Sequence, residues 1–219
     1  MKKRYAVIGL GRFGFHLTKS LYEKGHEVLA IDMSKDVVYK LKDFSTQAVV
    51  ANATDRETLE ALNVQDVDVA IVGLGSPLDH SILVTLHLRE MGIKEIIVKA
   101  ITEEHGKILQ MLGASEVIYP EKDMALKLAT SLSTPNVMDH LPLMPGFSIV
   151  ELAIPNSFVG KTIKDLQLRN NYGVQIIAIK ELIPERITSM PTPDFVMKDS
   201  DTLVIMGSDE SLGEISEIT

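Results

Sequence analysis

From residue 4 to about residue 118, short apolar runs alternate with segments in which apolar residues return every three or four positions. The runs at Tyr5–Gly9, Glu27–Asp32, Ala48–Val50, Val69–Gly73, Glu95–Val98 and Glu116–Tyr119 read as strands. Between them, the segments near 13–24, 35–43, 55–62, 78–91 and 103–112 are amphipathic, and each is long enough to cross over a sheet. Six strands with intervening helices predict an α/β fold, a Rossmann-like doubly wound parallel sheet.

Finer signals place some boundaries. Thr54-Asp55-Arg56-Glu57 has the spacing of a capping box, with the threonine oxygen and the glutamate each satisfying a free N–H at a helix start. Pro120 opens a further helical segment, Glu121 to about Leu132, which the cluster Ser133-Thr134-Pro135-Asn136 stops ahead of Pro142 and Pro145. This predicts an N-terminal domain over 1–134, a linker over 135–146 and a second domain over 147–219. The apolar helix around Leu126–Leu132 and the linker after it are expected to pack against another chain. Beyond Gly146 the texture becomes β-branched, at Ser148–Ile154, Val174–Ile179 and Thr202–Met206, broken by prolines, and reads as a small α+β module. Neither an internal repeat nor a low-complexity segment is visible.

Composition narrows the chemistry. A chain of 219 residues with 45% apolar content can bury a substantial core. A formal net charge of −8 is the wrong sign for a nucleic-acid partner. The absence of cysteine removes disulfides, thiolate nucleophiles and cysteine-ligated metals, and suits a reducing cytoplasm. The basic start Met1-Lys2-Lys3-Arg4 precedes an apolar run too short for a secretion signal, and no stretch approaches the roughly 18 apolar residues of a spanning helix, so a membrane role is expected to work through a partner. The six histidines show no i,i+4 pair and no HExxH, and read as isolated surface residues.

The chemistry concentrates at the first strand. Gly9-Leu10-Gly11-Arg12-Phe13-Gly14 follows a predicted strand and opens a predicted helix, the context a dinucleotide fingerprint requires. There the first glycine permits a tight turn, the second lets backbone approach a pyrophosphate, and the third lets helix and strand pack closely. Asp32, with Met33 beside it, ends the second strand 18 residues beyond Gly14, where a carboxylate accepts ribose hydroxyls and disfavours a 2′-phosphate. The bland alternative is that Asp32 caps the helix starting near Lys35. Arg12 is placed to reach a terminal phosphate, or is a solvated arginine on the first helical turn. Lys99 follows the fifth strand on the carboxyl edge of the sheet, where ligands bind, or is an ordinary exposed lysine. Gly73-Leu74-Gly75-Ser76-Pro77 is no nucleophile elbow, and is expected to touch the nucleotide from the fourth strand at Gly73 and Leu74.

With these residues in view, the chain resembles the RCK (regulator of potassium conductance) proteins, specifically the Ktr/Trk cytosolic subunits of bacterial potassium uptake. The resemblance spans essentially the whole chain. It rests on Ala6 to Gly14, Asn52-Ala53-Thr54, Val98-Lys99-Ala100, Tyr119-Pro120-Glu121-Lys122-Asp123-Met124, and Tyr172-Gly173-Val174 to Lys180. It implies a Rossmann-type domain followed by an RCK C domain, with dimers assembling into an octameric ring. That ring would lie at the inner face of the cell membrane and gate a potassium-translocating subunit. It also implies ATP and ADP as ligands, with Arg12 at the terminal phosphate, Asp32 at the ribose and Asn52-Ala53-Thr54 along the adenine pocket. Glu121 matches a carboxylate near the phosphates implicated in cation binding; its plain alternative is a first-turn glutamate favoured by the helix dipole. In some relatives the C domain binds cyclic di-AMP. This chain keeps Ile163, Arg169, Ile176 and Ile177 of that pattern but has Gln167 and Gln175 at its polar positions, which weighs against that ligand.

Two alternatives remain. An NAD-dependent oxidoreductase would use the same fingerprint, but the residues after about 135 offer no acid–base pair. A sensor of NAD(H) without catalysis is the other.

Overall fold

A computed structural model of the chain describes residues 2–133 and 136–218. It divides into two compact units, Met1–Lys122 and Asp123–Thr219. The first contains β1 (Arg4–Ile8), α1 (Arg12–Glu23), β2 (Glu27–Asp32), α2 (Lys35–Lys40), β3 (Gln47–Val50), α3 (Arg56–Ala61), β4 (Val69–Val72), α4 (Leu78–Glu90), β5 (Glu95–Lys99), α5 (Glu103–Met111) and β6 (Glu116–Ile118).

All six strands pair in parallel, in the order β3-β2-β1-β4-β5-β6. This is the doubly wound order, with the chain reversing direction across the sheet between β1 and β4. Burial follows the two-residue period of a strand. Ala6, Ile8, Ala70 and Val72 join Val84, Leu88 and Leu109 in one core, while Val7, Val69 and Ile71 join Val28, Ala30 and Leu41 in another on the opposite face. β1 and β4 lie at the centre, and every residue of β4 is buried.

The cap of α3 lies one residue later than the sequence suggests, and it is a single-sided cap rather than a capping box. Asp55 caps α3, accepting from the backbone N–H of Glu57 and the hydroxyl of Thr58. Thr54 instead folds back on Asn52, donating to Asn52 Oδ1 from its N–H at 3.1 Å and its hydroxyl at 2.8 Å. The reading of the histidines as surface residues is also corrected, since only His16 is exposed. His105 is 2% exposed, its Nε2 2.9 Å from Ser81 Oγ.

Helix α6 (Pro120–Ser133) runs into the second unit, and Thr134 and Pro135, part of the stop cluster seen in the sequence, lie outside the described residues. The second unit continues with β7 (Val137–Met144), β8 (Phe147–Ala153), α7 (Ile163–Leu166), α8 (Leu168–Tyr172), β9 (Gln175–Leu182), β10 (Glu185–Ser189), β11 (Thr202–Ser208) and α9 (Asp209–Ser216). Its antiparallel sheet runs β10-β9-β11-β8-β7. Most of the stretch expected to be a linker is therefore an edge strand. Pro142 is tolerated because an edge leaves one side of the ladder unpaired, and the register slips between Pro142 and Met144. Strand β10 was likewise missed, its polar residues giving no apolar run. One sheet face carries Val150, Leu152, Ile176, Ile179, Leu203 and Ile205 against Leu212 and Ile215 of α9.

Glu181 of β9 is the notable buried charge, with 2% of its surface exposed. Its carboxylate accepts from Arg186 at 2.5 and 3.2 Å, Thr188 at 2.9 Å and Lys198 at 2.9 Å. These contacts, Arg186 foremost, hold its pKa down to about 2. They tie β10 and the segment before β11 to β9.

Candidate functional site

The crossing of β1, α1 and the end of β4 is built from glycines. Gly9 has φ +89, and a Cβ there would meet the backbone N of Leu74 at 2.8 Å. A Cβ on Gly14 would lie 2.0 Å from Gly9 O, and one on Gly73 would lie 2.9 Å from the same oxygen. Gly9 and Gly14 thus have the predicted turn and packing roles. Gly11 differs: nothing lies within 4 Å of where its Cβ would be, so the open side of the loop is at Gly11. Gly11 O accepts the first α1 hydrogen bond, from Phe15 N at 2.8 Å. Phe13 is half-buried against the α1 side of the sheet.

Asp32 is half-buried and held at both oxygens. Oδ2 accepts from Leu10 N at 2.7 Å, and Oδ1 accepts from Ser34 N at 2.8 Å. The carboxylate therefore both steadies the glycine loop and stabilises the turn into α2. Each oxygen retains a lone pair for a further donor.

Around it lies a cleft of about 270 Å³ at the carboxyl ends of β1, β2, β3 and β4. Of the residues expected from the sequence, Gly9, Asp32, Met33, Asn52, Ala53, Thr54 and Leu74 line it. Gly11, Arg12, Phe13, Gly14, Gly73, Lys99 and Glu121 do not. Sequence reasoning missed Ile8, Ile31, Ala51 and His80, all in the lining, while Ser76 and Pro77, which also line it, belong to the loop after the fourth strand that was expected to touch the nucleotide. The apolar ones are strand ends legible only as core. His80, in the first turn of α4, belongs to no motif.

Arg12 is exposed and, among the described residues, makes no hydrogen bond or ion pair. Lys99 is not an ordinary exposed lysine, since its side chain keeps only 14% of its exposure and pairs with Glu121. That ammonium holds the Glu121 carboxyl below its usual range, with a smaller contribution from the residue's own backbone N–H. Among the described residues no group of three or more His, Asp or Glu side chains forms a metal cluster.

The residues fit a nucleotide. The volume is just under the roughly 300 to 1,000 Å³ usual for small-molecule sites, which suits the nucleoside portion. The phosphates would extend over Gly11 towards the start of α1, where free N–H groups favour an anion. In the second unit, Ile163, Arg169, Gln175 and Ile176 all line a separate hollow of about 160 Å³. Ile176 is also buried in that unit's own core.

Comparison with known proteins agrees with this division. The TrkA-N domain family matches residues 5–120, and the TrkA-C domain family matches residues 148–219. The chain is 42% identical over 205 residues to the Ktr system potassium uptake protein A of Bacillus subtilis (strain 168), covering 94% of this chain and 91% of the relative. It is 38% identical over 208 residues to the Ktr system potassium uptake protein C of the same organism, covering 95% and 93%. Among solved structures, the GsuK channel bound to NAD superposes with a TM-score of 0.66 at 20% identity, covering 97% of this chain and 38% of that one. That likeness supports the fold.

Proposed function

The chain belongs to the family of paired TrkA-N and TrkA-C domains, and from that premise we propose that it is a nucleotide-sensing regulatory subunit of a Ktr-type potassium-uptake system. It binds ATP and ADP in the cleft beside Asp32 and acts by binding rather than catalysis. One observation carries the reading: a carboxylate preset by Leu10 and Ser34 faces a cleft whose phosphate side, at Gly11, is open. Both features suit a ribose and a polyphosphate.

Arg12, exposed and unpaired among the described residues, is the group for a terminal phosphate. The Lys99–Glu121 pair supplies a cation-responsive carboxylate near the same edge. Among the described residues no helix is long and apolar enough to cross a membrane. By likeness to the Ktr relatives, the partner is a potassium-translocating membrane subunit, reached from the cytoplasmic side by a homodimer that assembles into an octameric ring. The hollow at Ile163 and Arg169 is a second candidate site, with cyclic di-AMP as the ligand to test.

Isothermal titration of the full chain with ATP, ADP, NAD and NADH tests the reading. ATP and ADP should bind, Asp32→Ala should weaken both, and Arg12→Ala should narrow the difference between them. Binding of NADH or NAD alone would replace the proposal with a redox sensor.

A further inference from the structure

We infer that His80 seats the purine of the bound nucleotide, closing the cleft opposite Asn52-Ala53-Thr54. This rests on the nucleotide reading above and adds to it a residue that determines specificity for the base.

The topology sets the geometry. In the order β3-β2-β1-β4, the segments after β3 and after β4 stand on opposite sides of β2 and β1, yet both reach one cleft. Ala53 and Thr54 enter it from the β3 side, and Pro77 and His80 from the β4 side. A flat ring whose ribose lies at Asp32 falls between them.

The polar groups say which ring. Both Asp32 oxygens are engaged by backbone N–H groups, and Asn52 Oδ1 is engaged by Thr54. Asn52 therefore presents its amide N–H₂ as a donor. The His80 imidazole is half-buried and has no hydrogen-bond partner among the described residues. With Leu74 and Pro77 apolar beside it, the cleft offers ring faces and an edge donor at Asn52. That is the chemistry of a heteroaromatic base with acceptor nitrogens.

His80 is also held in place by its neighbour. Ser81 is 0% exposed, donates from Oγ to Leu78 O at 2.8 Å and lies 2.9 Å from His105 Nε2. The first turn of α4 is thus anchored to α5, and the imidazole needs little reordering to meet a ligand.

The test is titration of the full chain and its His80→Ala, His80→Gln and His80→Phe variants with ATP, CTP and inorganic tripolyphosphate. Losing a base–aromatic contact weakens affinity by about tenfold. His80→Ala and His80→Gln should therefore bind ATP about tenfold more weakly, with the ATP preference over CTP reduced and tripolyphosphate unaffected. His80→Phe should keep most of the ATP affinity, which separates loss of the ring from damage to the fold. ATP binding unchanged in His80→Ala overturns the assignment of His80 alone. A wild-type chain that binds none of the nucleotides overturns the reading beneath it.

Discussion

The three glycines of the loop should fail in different ways, and the contrast between Gly14→Ala and Gly11→Ala is the sharpest test of the site. A Cβ at position 14 would sit 2.0 Å from Gly9 O, where ordinary contact begins near 3.4 Å. The obstacle is backbone, pinned by the hydrogen bond from Gly9 N to Ile31 O at 2.9 Å. Helix α1 must therefore retreat by about 1 Å, an overpacking of the kind that costs about 3 kcal/mol. For a chain of this size that corresponds to a fall of roughly 6 to 12 °C in melting temperature. At position 11 nothing is within 4 Å, and the backbone, at φ −60 and ψ −170, is open to alanine. The stability cost is then that of a poorer N-cap, about 1 kcal/mol or less. Yet the new methyl stands where the phosphates must approach, so nucleotide binding should be lost from a folded protein. Scanning calorimetry without ligand, followed by titration with ATP, reads both effects. An unchanged melting temperature in Gly14→Ala would refute the packing argument. Full ATP affinity in a folded Gly11→Ala would refute the placement of the phosphates.

Three further outcomes follow from the same structure. Glu181 has its pKa lowered to about 2, so its contacts stabilise the folded chain above the ordinary glutamate range and are lost as pH falls towards 2; Glu181→Gln should flatten that acid-side decline in a pH series of melting temperatures. His105 is pushed below the usual histidine range by burial, so the folded state favours the neutral ring and stability should fall as pH drops below about 6.5; His105→Gln should remove this dependence, and a slope unchanged from wild type would count against it. Leu128 and Leu132 of α6 are exposed in the single chain, so Leu128→Glu with Leu132→Glu should leave the melting temperature of a dissociated chain within about 1 kcal/mol of wild type while light scattering shows a smaller assembly. An unchanged assembly would mean that α6 does not pack against another copy.

The parallel sheet was legible because its signals are local: apolar runs of strand length, helices of the right period between them, and a glycine loop at the first junction. Where the sequence misled, a partner that the local pattern does not show decided. Val137–Met144 carries Pro142 within it and Pro145 just beyond it and reads as a linker, yet it pairs with β8 because an edge strand needs only one neighbour. Thr54 has the residue type of a cap, but Asn52 two positions earlier captures it and leaves Asp55 to cap α3. Of the cleft lining, Gly9, Asp32, Met33, Asn52, Ala53, Thr54 and Leu74 were expected from the sequence, and His80 was not. No spacing rule connects a histidine in the first turn of α4 with an asparagine after β3; only the strand order brings them to one cleft.

That same geometry decides which contacts can make a sensor. A ligand shifts a conformational equilibrium only by the difference in its affinity for the two states, and a hundredfold shift requires about 2.7 kcal/mol of such difference. On the proposed reading the cleft around Asp32, Asn52 and His80 meets the nucleoside, which ATP and ADP share, so it would supply affinity without discrimination. Discrimination must come from groups beyond the cleft that only a longer phosphate chain reaches. Arg12 has no competing partner among the described residues, so it could engage a terminal phosphate without first breaking an interaction. Lys99 is already paired with Glu121, and drawing it towards a phosphate would release that carboxylate for a cation. On this account nucleotide identity and cation binding are coupled through one lysine. Glu121→Gln should therefore raise the affinity for ATP more than for ADP in the absence of divalent cations, and equal changes for the two nucleotides in paired titrations would break the coupling.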